Sequence, residues 1–196
     1  MSAEAIRPGT VPELELAPAA ERAVLRSYPL AIKVLHWLTA LLVAIQIASG
    51  IVMMHLGGGP SADLLFTLHK TNGAAILLLV ALRLGLRLAL KATGRWRRHA
   101  TLLPIHAALY GALILIPVLG WAGISDFGAR TIVFGWSLPP IWPEGAGYDG
   151  ILFTLHAYLA FALLALVAAH IGVALGLHLK RGVAGADPAA ADPAVG

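Results

Sequence analysis

The sequence of 196 residues contains no cysteine. The chain therefore cannot form a disulfide, hold a cysteine-bound iron–sulfur cluster, ligate a metal through a thiolate or attach a cofactor through a C-x-x-C-H motif. Any iron cofactor has to be bound non-covalently, through histidine nitrogen or methionine sulfur. The absence of cysteine says nothing about the redox compartment.

Charged residues are also scarce. They make up 12% of the chain, hydrophobic residues make up 59%, and the mean hydropathy is +0.81. Soluble chains carry about 25% charged residues. None of the ten acidic residues falls inside the four long apolar runs, which predicts an integral membrane protein. The basic excess, a net charge of +4, lies beside the apolar runs and forms no groove for bases, so a nucleic-acid partner is not expected.

Four apolar runs are each long enough to cross a bilayer, which takes about 20 residues of helix. They predict an all-α, four-helix integral membrane bundle with spans at about 31–54, 68–90, 102–124 and 151–179. The bundle domain is predicted over 29–182, between an N-terminal tail at 1–28 and a C-terminal tail at 183–196. A longer link at 125–150 joins the last two spans, either covering a site or simply capping the bundle.

The distribution of lysine and arginine predicts the orientation, because cytoplasmic loops of membrane proteins are enriched in both. Twelve of the fourteen basic residues lie near the two chain ends or at the second connection, which four crossings place on one side of the membrane. The other two, Lys70 and Arg130, lie on the opposite side. Both termini are therefore predicted to be cytoplasmic, with four crossings of the membrane.

Histidines mark a candidate site within the apolar runs. His156 and His170 lie fourteen residues apart in the fourth run, so on a helix they share a face about 21 Å apart. His36 and His69 lie near the starts of the first and second runs. Ionisable side chains are costly in a bilayer and usually functional there. The predicted orientation puts His69 level with His156 on the outer side, and His36 level with His170 on the inner side.

Four ligands from three helices at two depths predict two haems, each held between two histidines. Two axial imidazoles suit electron transfer rather than oxygen chemistry, and a core site of this kind is built from facing helices. Contacts between helices are the plain alternative for any single histidine. The remaining histidines stay open: His55 as an interfacial residue, proton carrier or substitute ligand, His178 and His99 as interfacial or solvated residues, and His106 as a propionate partner, proton relay or inter-helix contact.

Three basic residues and one glycine are candidates for contacts with the haems. Arg83 follows His69 by fourteen residues, so it lies near the inner level, where it could bind a propionate or simply belong to the cytoplasmic basic cluster. Lys70 and Arg130 could bind propionates of the outer haem or attract an anionic donor. Gly73, one turn after His69, would let a flat macrocycle approach the backbone.

Several motifs together resemble the prokaryotic cytochrome b561 family over about residues 28–182. They are, in order, His36-Trp37, His69-Lys70-x-x-Gly73 followed by Arg83, His106-x-x-x-Tyr110, Pro117-x-x-Gly120, and the spacing of His156 and His170. The N-terminal tail is longer than the family pattern and His55 is not part of it. These departures leave the four candidate ligands untouched.

This resemblance implies two non-covalent haem b groups in a bacterial inner membrane, with His36 and His170 on the inner iron and His69 and His156 on the outer iron. It further implies a quinone-linked oxidoreductase of the respiratory chain that exchanges electrons with ubiquinone or another membrane quinone, and some relatives are thought to oxidise superoxide. The donor or acceptor outside the cytoplasm stays unknown. The alternatives are a haem b anchor subunit of a hydrogenase or dehydrogenase complex and, less favoured, a histidine-lined metal transporter, which would normally also need oxygen ligands.

Overall fold

The computed structural model of the chain describes residues 30–93 and 103–185. The tail predicted at 1–28, most of the basic second connection with His99, and nearly all of the C-terminal tail lie outside these ranges. The described part contains four long helices, α1 (Leu30–Met53), α2 (Pro60–Ala92), α3 (Leu103–Phe127) and α4 (Asp149–Gly185), and one short 3-10 turn at Val133–Gly135.

All four helices are long and apolar enough to cross a membrane, over Leu30–Met53, Pro60–Ala92, Pro104–Phe127 and Asp149–Leu179. Within the described ranges the only β pairing is an isolated bridge between Thr131 and Ser137. The prediction of an all-α protein with four membrane-spanning helices is therefore confirmed. The cytoplasmic position of both termini stays a prediction.

Helix α2 begins at Pro60, well before the predicted start at 68. Gly59 precedes it with a φ of 122°, and Pro60 occupies the first helical turn, where its missing N–H costs nothing. Asp63 also lies in this turn, near the positive end of the helix dipole. These start signals extend the helix beyond its apolar run, so His69 lies inside α2 rather than at its beginning.

The helices pack in sequence order. The contact between α3 and α4 is the most extensive, followed by that between α1 and α2 and then by that between α2 and α3. Five buried residues form the central apolar cluster: Val43, Ile76, Val80, Ile116 and Leu163. Leu163 lies midway along α4 between His156 and His170, so this cluster occupies the level between the two predicted haem sites.

The 128–148 segment folds over the N-terminal part of α2 and the C-terminal part of α3. The carboxylate of Asp126, which is 3% exposed, accepts hydrogen bonds from the backbone N–H groups of Gly147 (3.1 Å) and Tyr148 (2.6 Å), just before α4. The indole of Trp121 donates to the carbonyl of Pro139 (2.9 Å), and the N–H of Val133 donates to Thr71 Oγ1 (3.2 Å). These bonds fix the segment to the bundle.

Candidate functional site

The four candidate histidines form two facing pairs, named after the predicted orientation as the outer pair (His69 and His156) and the inner pair (His36 and His170). The ring centroids of His69 and His156 are 6.1 Å apart, and those of His36 and His170 are 6.4 Å apart. His156 and His170 lie on the unbroken helix α4, about 21 Å apart along its axis. Both histidines of α4 lie within the bundle, where His156 pairs with His69 of α2 and His170 pairs with His36 of α1.

Both ring separations suit two imidazoles on opposite sides of one metal ion. A metal–imidazole bond of about 2 Å, plus roughly 1 Å from nitrogen to ring centre on each side, places the two centroids about 6 Å apart. Among the residues that the structure describes, no group of three or more His, Asp or Glu side chains could hold a metal ion. Two histidines alone leave the equatorial positions of an octahedral iron to other ligands, which a macrocycle provides.

Two cavities flank the outer pair. One of about 410 Å³ and another of about 630 Å³ are both lined by His69, His156 and Gly73. Such volumes are typical of sites for small molecules and cofactors. Because each cavity borders both rings, a flat group that passed between the two histidines would extend into the space on either side of them.

Two glycines leave room for the outer imidazoles. A Cβ atom at Gly120 would lie 3.0 Å from Cε1 and Nδ1 of His156, and one at Gly50 would lie 3.4 Å from Cε1 of His69. A Cβ at Gly73 would instead lie 3.3 Å from the side-chain nitrogen of Gln46. The close approach of His156 to α3 therefore depends on the missing side chain at Gly120.

Hydrogen bonds orient the outer pair. His156 Nδ1 lies 2.8 Å from the carbonyl oxygen of Ile116, and His69 Nδ1 lies 2.9 Å from Ser49 Oγ. Ser49 Oγ in turn donates to the carbonyl of Gln46 (2.9 Å). Both Nδ1 atoms are thus engaged by the protein, so the opposite nitrogen, Nε2, is the one available for a ligand on each ring.

A polar network behind His69 joins α1 to α2. The amide of Asn72 donates to the carbonyl of Leu42 (2.9 Å) and to Gln46 Oε1 (2.8 Å), and the amide of Gln46 donates to the backbone carbonyl of His69 (3.1 Å). Reasoning from the sequence missed Gln46, Ser49 and Asn72. The available signal was their polarity within otherwise apolar runs, a feature that is usually functional or structural in a membrane helix.

The inner pair has different neighbours. Arg83, which is 9% exposed, places Nη2 3.1 Å from His36 Nδ1, and His106 approaches His170 with ring centroids 5.3 Å apart. The guanidinium groups of Arg83 and Arg87 lie 5.7 and 5.0 Å from the ring centre of Tyr110. Arg83 thus lies at the inner level, as its spacing from His69 predicted, beside a histidine ring.

Lys70 contacts the 128–148 segment, and Arg130 belongs to that segment. Lys70 lines the larger cavity, and its Nζ donates to the carbonyl of Ala129 (2.8 Å). Arg130 donates to the carbonyl of Leu138 (3.2 Å) and lies 3.4 Å from Glu144. Lys70 therefore lies at the cavity of the outer pair, whereas Arg130 makes its bonds within the segment that covers it.

Two further histidines lie away from the pairs. His55 follows the end of α1, is exposed, and places Nδ1 2.9 Å from the carbonyl of Ile51, one turn earlier. His178 is exposed in the last turns of α4. The structure thus groups five of the seven described histidines into two sites, with His106 as a fifth member beside the inner pair.

Comparison with known proteins gives one family. The family model described as prokaryotic cytochrome b561 matches residues 27–183, which covers both histidine pairs, the first three helices and all but the last two residues of α4. No curated protein matches the chain.

Proposed function

The chain belongs to the prokaryotic cytochrome b561 family, and from this premise we propose that it is a dihaem electron-transfer oxidoreductase linked to quinone. Family membership indicates a multi-pass membrane protein that binds haem b and transfers electrons. The finer proposal is that residues 29–182 hold two haems b in a bacterial inner membrane, with both termini in the cytoplasm. Electrons would pass between the haems and exchange with ubiquinone or another membrane quinone.

The observation that carries this proposal is the presence of two histidine pairs with matching ring separations, 6.1 and 6.4 Å, at two levels of one bundle. His69 and His156 would be the axial ligands of the outer iron, and His36 and His170 those of the inner iron. Bound haem supplies an iron that cycles between two oxidation states. The two ligand levels lie about 21 Å apart along α4.

The protein provides positioning and an apolar environment. Gly50 and Gly120 leave space beside the outer ligands, and Gly73 lines both cavities there. The buried cluster that includes Val43, Ile76 and Leu163 forms an apolar layer between the two levels. Arg83 would bind a propionate of the inner haem, because a ligating His36 keeps its proton on Nδ1 and no longer accepts from the guanidinium.

The donor or acceptor on the outer side would reach the larger cavity past Lys70. An anionic donor such as superoxide would be attracted by Lys70, and more weakly by Arg130, whose charge is opposed by Glu144. The bilayer itself would deliver quinone, which dissolves in the apolar phase. Propionates of the outer haem are the other proposed partners of Lys70 and Arg130.

Reconstitution into sealed vesicles tests the proposed function. With an impermeant reductant outside and ferricyanide inside, the wild-type protein should oxidise the external reductant, whereas His69→Ala and His170→Ala should each stop the transfer. Anaerobic mixing with a ubiquinol analogue should reduce the wild-type haems. Transfer at the wild-type rate in either variant would contradict the relay. Purification with a stoichiometric soluble partner would instead support the alternative role, a haem b anchor subunit of a hydrogenase or dehydrogenase complex.

A further inference from the structure

The hydrogen bonds of the outer pair determine which nitrogen of each ring carries the proton. The carbonyl of Ile116 can only accept, so His156 Nδ1 must be the donor in their 2.8 Å contact. The hydroxyl of Ser49 has a single proton, and it donates that proton to the carbonyl of Gln46. While its proton is given to Gln46, Ser49 accepts from His69 Nδ1, 2.9 Å away. This assignment of the network gives both rings a proton on Nδ1 and a lone pair on Nε2.

The inner pair lacks this arrangement at His36. A guanidinium has five N–H donors and no acceptor, so Arg83 Nη2 can only donate to His36 Nδ1. A neutral His36 then carries its proton on Nε2, the nitrogen that would have to bind iron. If His36 bound iron through Nε2, it would carry its proton on Nδ1 and could not accept from Arg83, whereas the contacts of the outer rings are compatible with ligation through Nε2.

The position of Ser49 is itself fixed. It lies one turn after Gln46 on α1, and Gln46 is held by its bonds to Asn72 Nδ2 and to the backbone carbonyl of His69. Asn72 also donates to the carbonyl of Leu42. The Ser49 hydroxyl thus lies beside a connected network between α1 and α2, and its own two contacts, with the backbone carbonyl of Gln46 and with His69 Nδ1, orient it.

We propose that Ser49 is a positioning residue for the outer haem, whose hydroxyl accepts the Nδ1 proton of His69 and thereby presents Nε2 to the iron. The inference rests on the proposed function in one respect, that His69 is an axial ligand. Partners that orient a metal-bound histidine typically contribute 10–100-fold to metal affinity. They also raise the basicity of the ligand, which favours the oxidised iron.

Ser49→Ala should therefore weaken outer haem binding by about 10-fold or more and shift the outer midpoint potential to a more positive value. The inner haem should keep its affinity and potential. Ser49→Thr retains a hydroxyl at the same backbone position and should restore both properties. Thr39→Val is the matched control, because Thr39 is a buried residue of the same helix whose hydroxyl donates to the carbonyl of Leu35.

The experiment measures haem b per polypeptide and the midpoint potentials by optical redox titration of the purified full-length proteins. His156→Ala, which should retain the inner haem alone, identifies which potential belongs to which site. Loss or a positive shift confined to the outer haem in Ser49→Ala, with Thr39→Val unchanged, supports the proposal.

Two results would overturn the proposal. The first is an outer haem with unchanged content and potential in Ser49→Ala, and the second is an equal loss of haem in Ser49→Ala and Thr39→Val, which would indicate a general packing defect. A wild-type protein without an outer haem would instead refute the proposed function, so the two failures are distinguishable.

Discussion

The outer and inner histidine pairs have nearly the same ring separation but opposite hydrogen-bonding neighbours. The outer rings contact acceptors, Ser49 Oγ and the carbonyl of Ile116. At the inner level a donor, Arg83, contacts His36, and a third ring, His106, contacts His170. The same ligand pattern in sequence thus occurs in two different surroundings, with acceptors beside the outer rings and a guanidinium and a third imidazole beside the inner rings.

The two levels of the bundle also differ in their charged side chains. The four acidic side chains of this part, Asp63, Asp126, Glu144 and Asp149, all lie near the outer ends of the helices or in the outer segment. Lys70 and Arg130 lie there as well, so the outer level carries both signs. Arg83, Arg87 and Lys91 lie on the last turns of α2, toward the inner side, and none of the four acidic side chains lies at that level. A positive environment favours reduced iron, so the inner haem should have the more positive midpoint potential.

The largest expected effect comes from filling the space beside His156. Gly120→Val would force the His156 ring away, since even a Cβ atom would lie 3.0 Å from it. We expect loss of the outer haem with retention of the inner one, measured as haem b per polypeptide. Gly111→Val is the control on the same helix, because beyond its chain neighbours and the adjoining helix backbone no described atom lies within 4 Å of a Cβ at Gly111. Two haems in Gly120→Val would show that the position of His156 does not depend on this glycine.

The next effect sharpens the comparison from the inner side. Arg83→Gln removes a charge beside His36 and a partner for a propionate, so we expect about 10-fold weaker inner haem binding and a more negative inner potential. Haem dissociation and redox titration measure the two quantities. Lys91→Gln, two charges and about two turns further along α2, should leave both nearly unchanged. An unaltered inner haem in Arg83→Gln would mean that Arg83 belongs only to the cytoplasmic basic cluster.

The smallest expected effect concerns the two basic residues near the outer pair, Lys70 and Arg130. Lys70→Gln with Arg130→Gln should slow reduction by an anionic donor several-fold at low salt, and the difference should shrink as salt screens the charges. Stopped-flow reduction by superoxide, with a neutral quinol as the control donor, measures this effect. Equal slowing with both donors would point to altered haem binding, and unchanged rates would remove the steering role.

The sequence predicted the helices and the ligand pairs to the extent that periodicity determines them. A spacing of fourteen residues places His156 and His170 on one face of any straight helix, so their shared orientation followed directly. Family membership confirms the class of protein, and the pairing of the four histidines as ligands stays a prediction. The predicted start of α2, at 68, was too late because the helix begins before its apolar run, with Pro60 and Asp63 in its first turn.

The neighbours of each pair were beyond the reach of the sequence. Contact between Ser49 and His69 depends on the rotation of α1 against α2, and the contact of His156 with Ile116 depends on how closely α4 approaches α3 at Gly120. Arg83 was placed at the correct depth by its spacing, but its nearest partner, His36, belongs to another helix. Depth along one helix is a local property, whereas these contacts depend on tertiary packing.

The most direct test of two separate haem sites is the haem b content per purified polypeptide in the wild type, His69→Ala and His170→Ala. We expect two haems in the wild type and one in each variant, the inner haem in His69→Ala and the outer haem in His170→Ala. A single haem in the wild type, retained in one of these variants, would contradict the assignment of two histidine pairs to two haems.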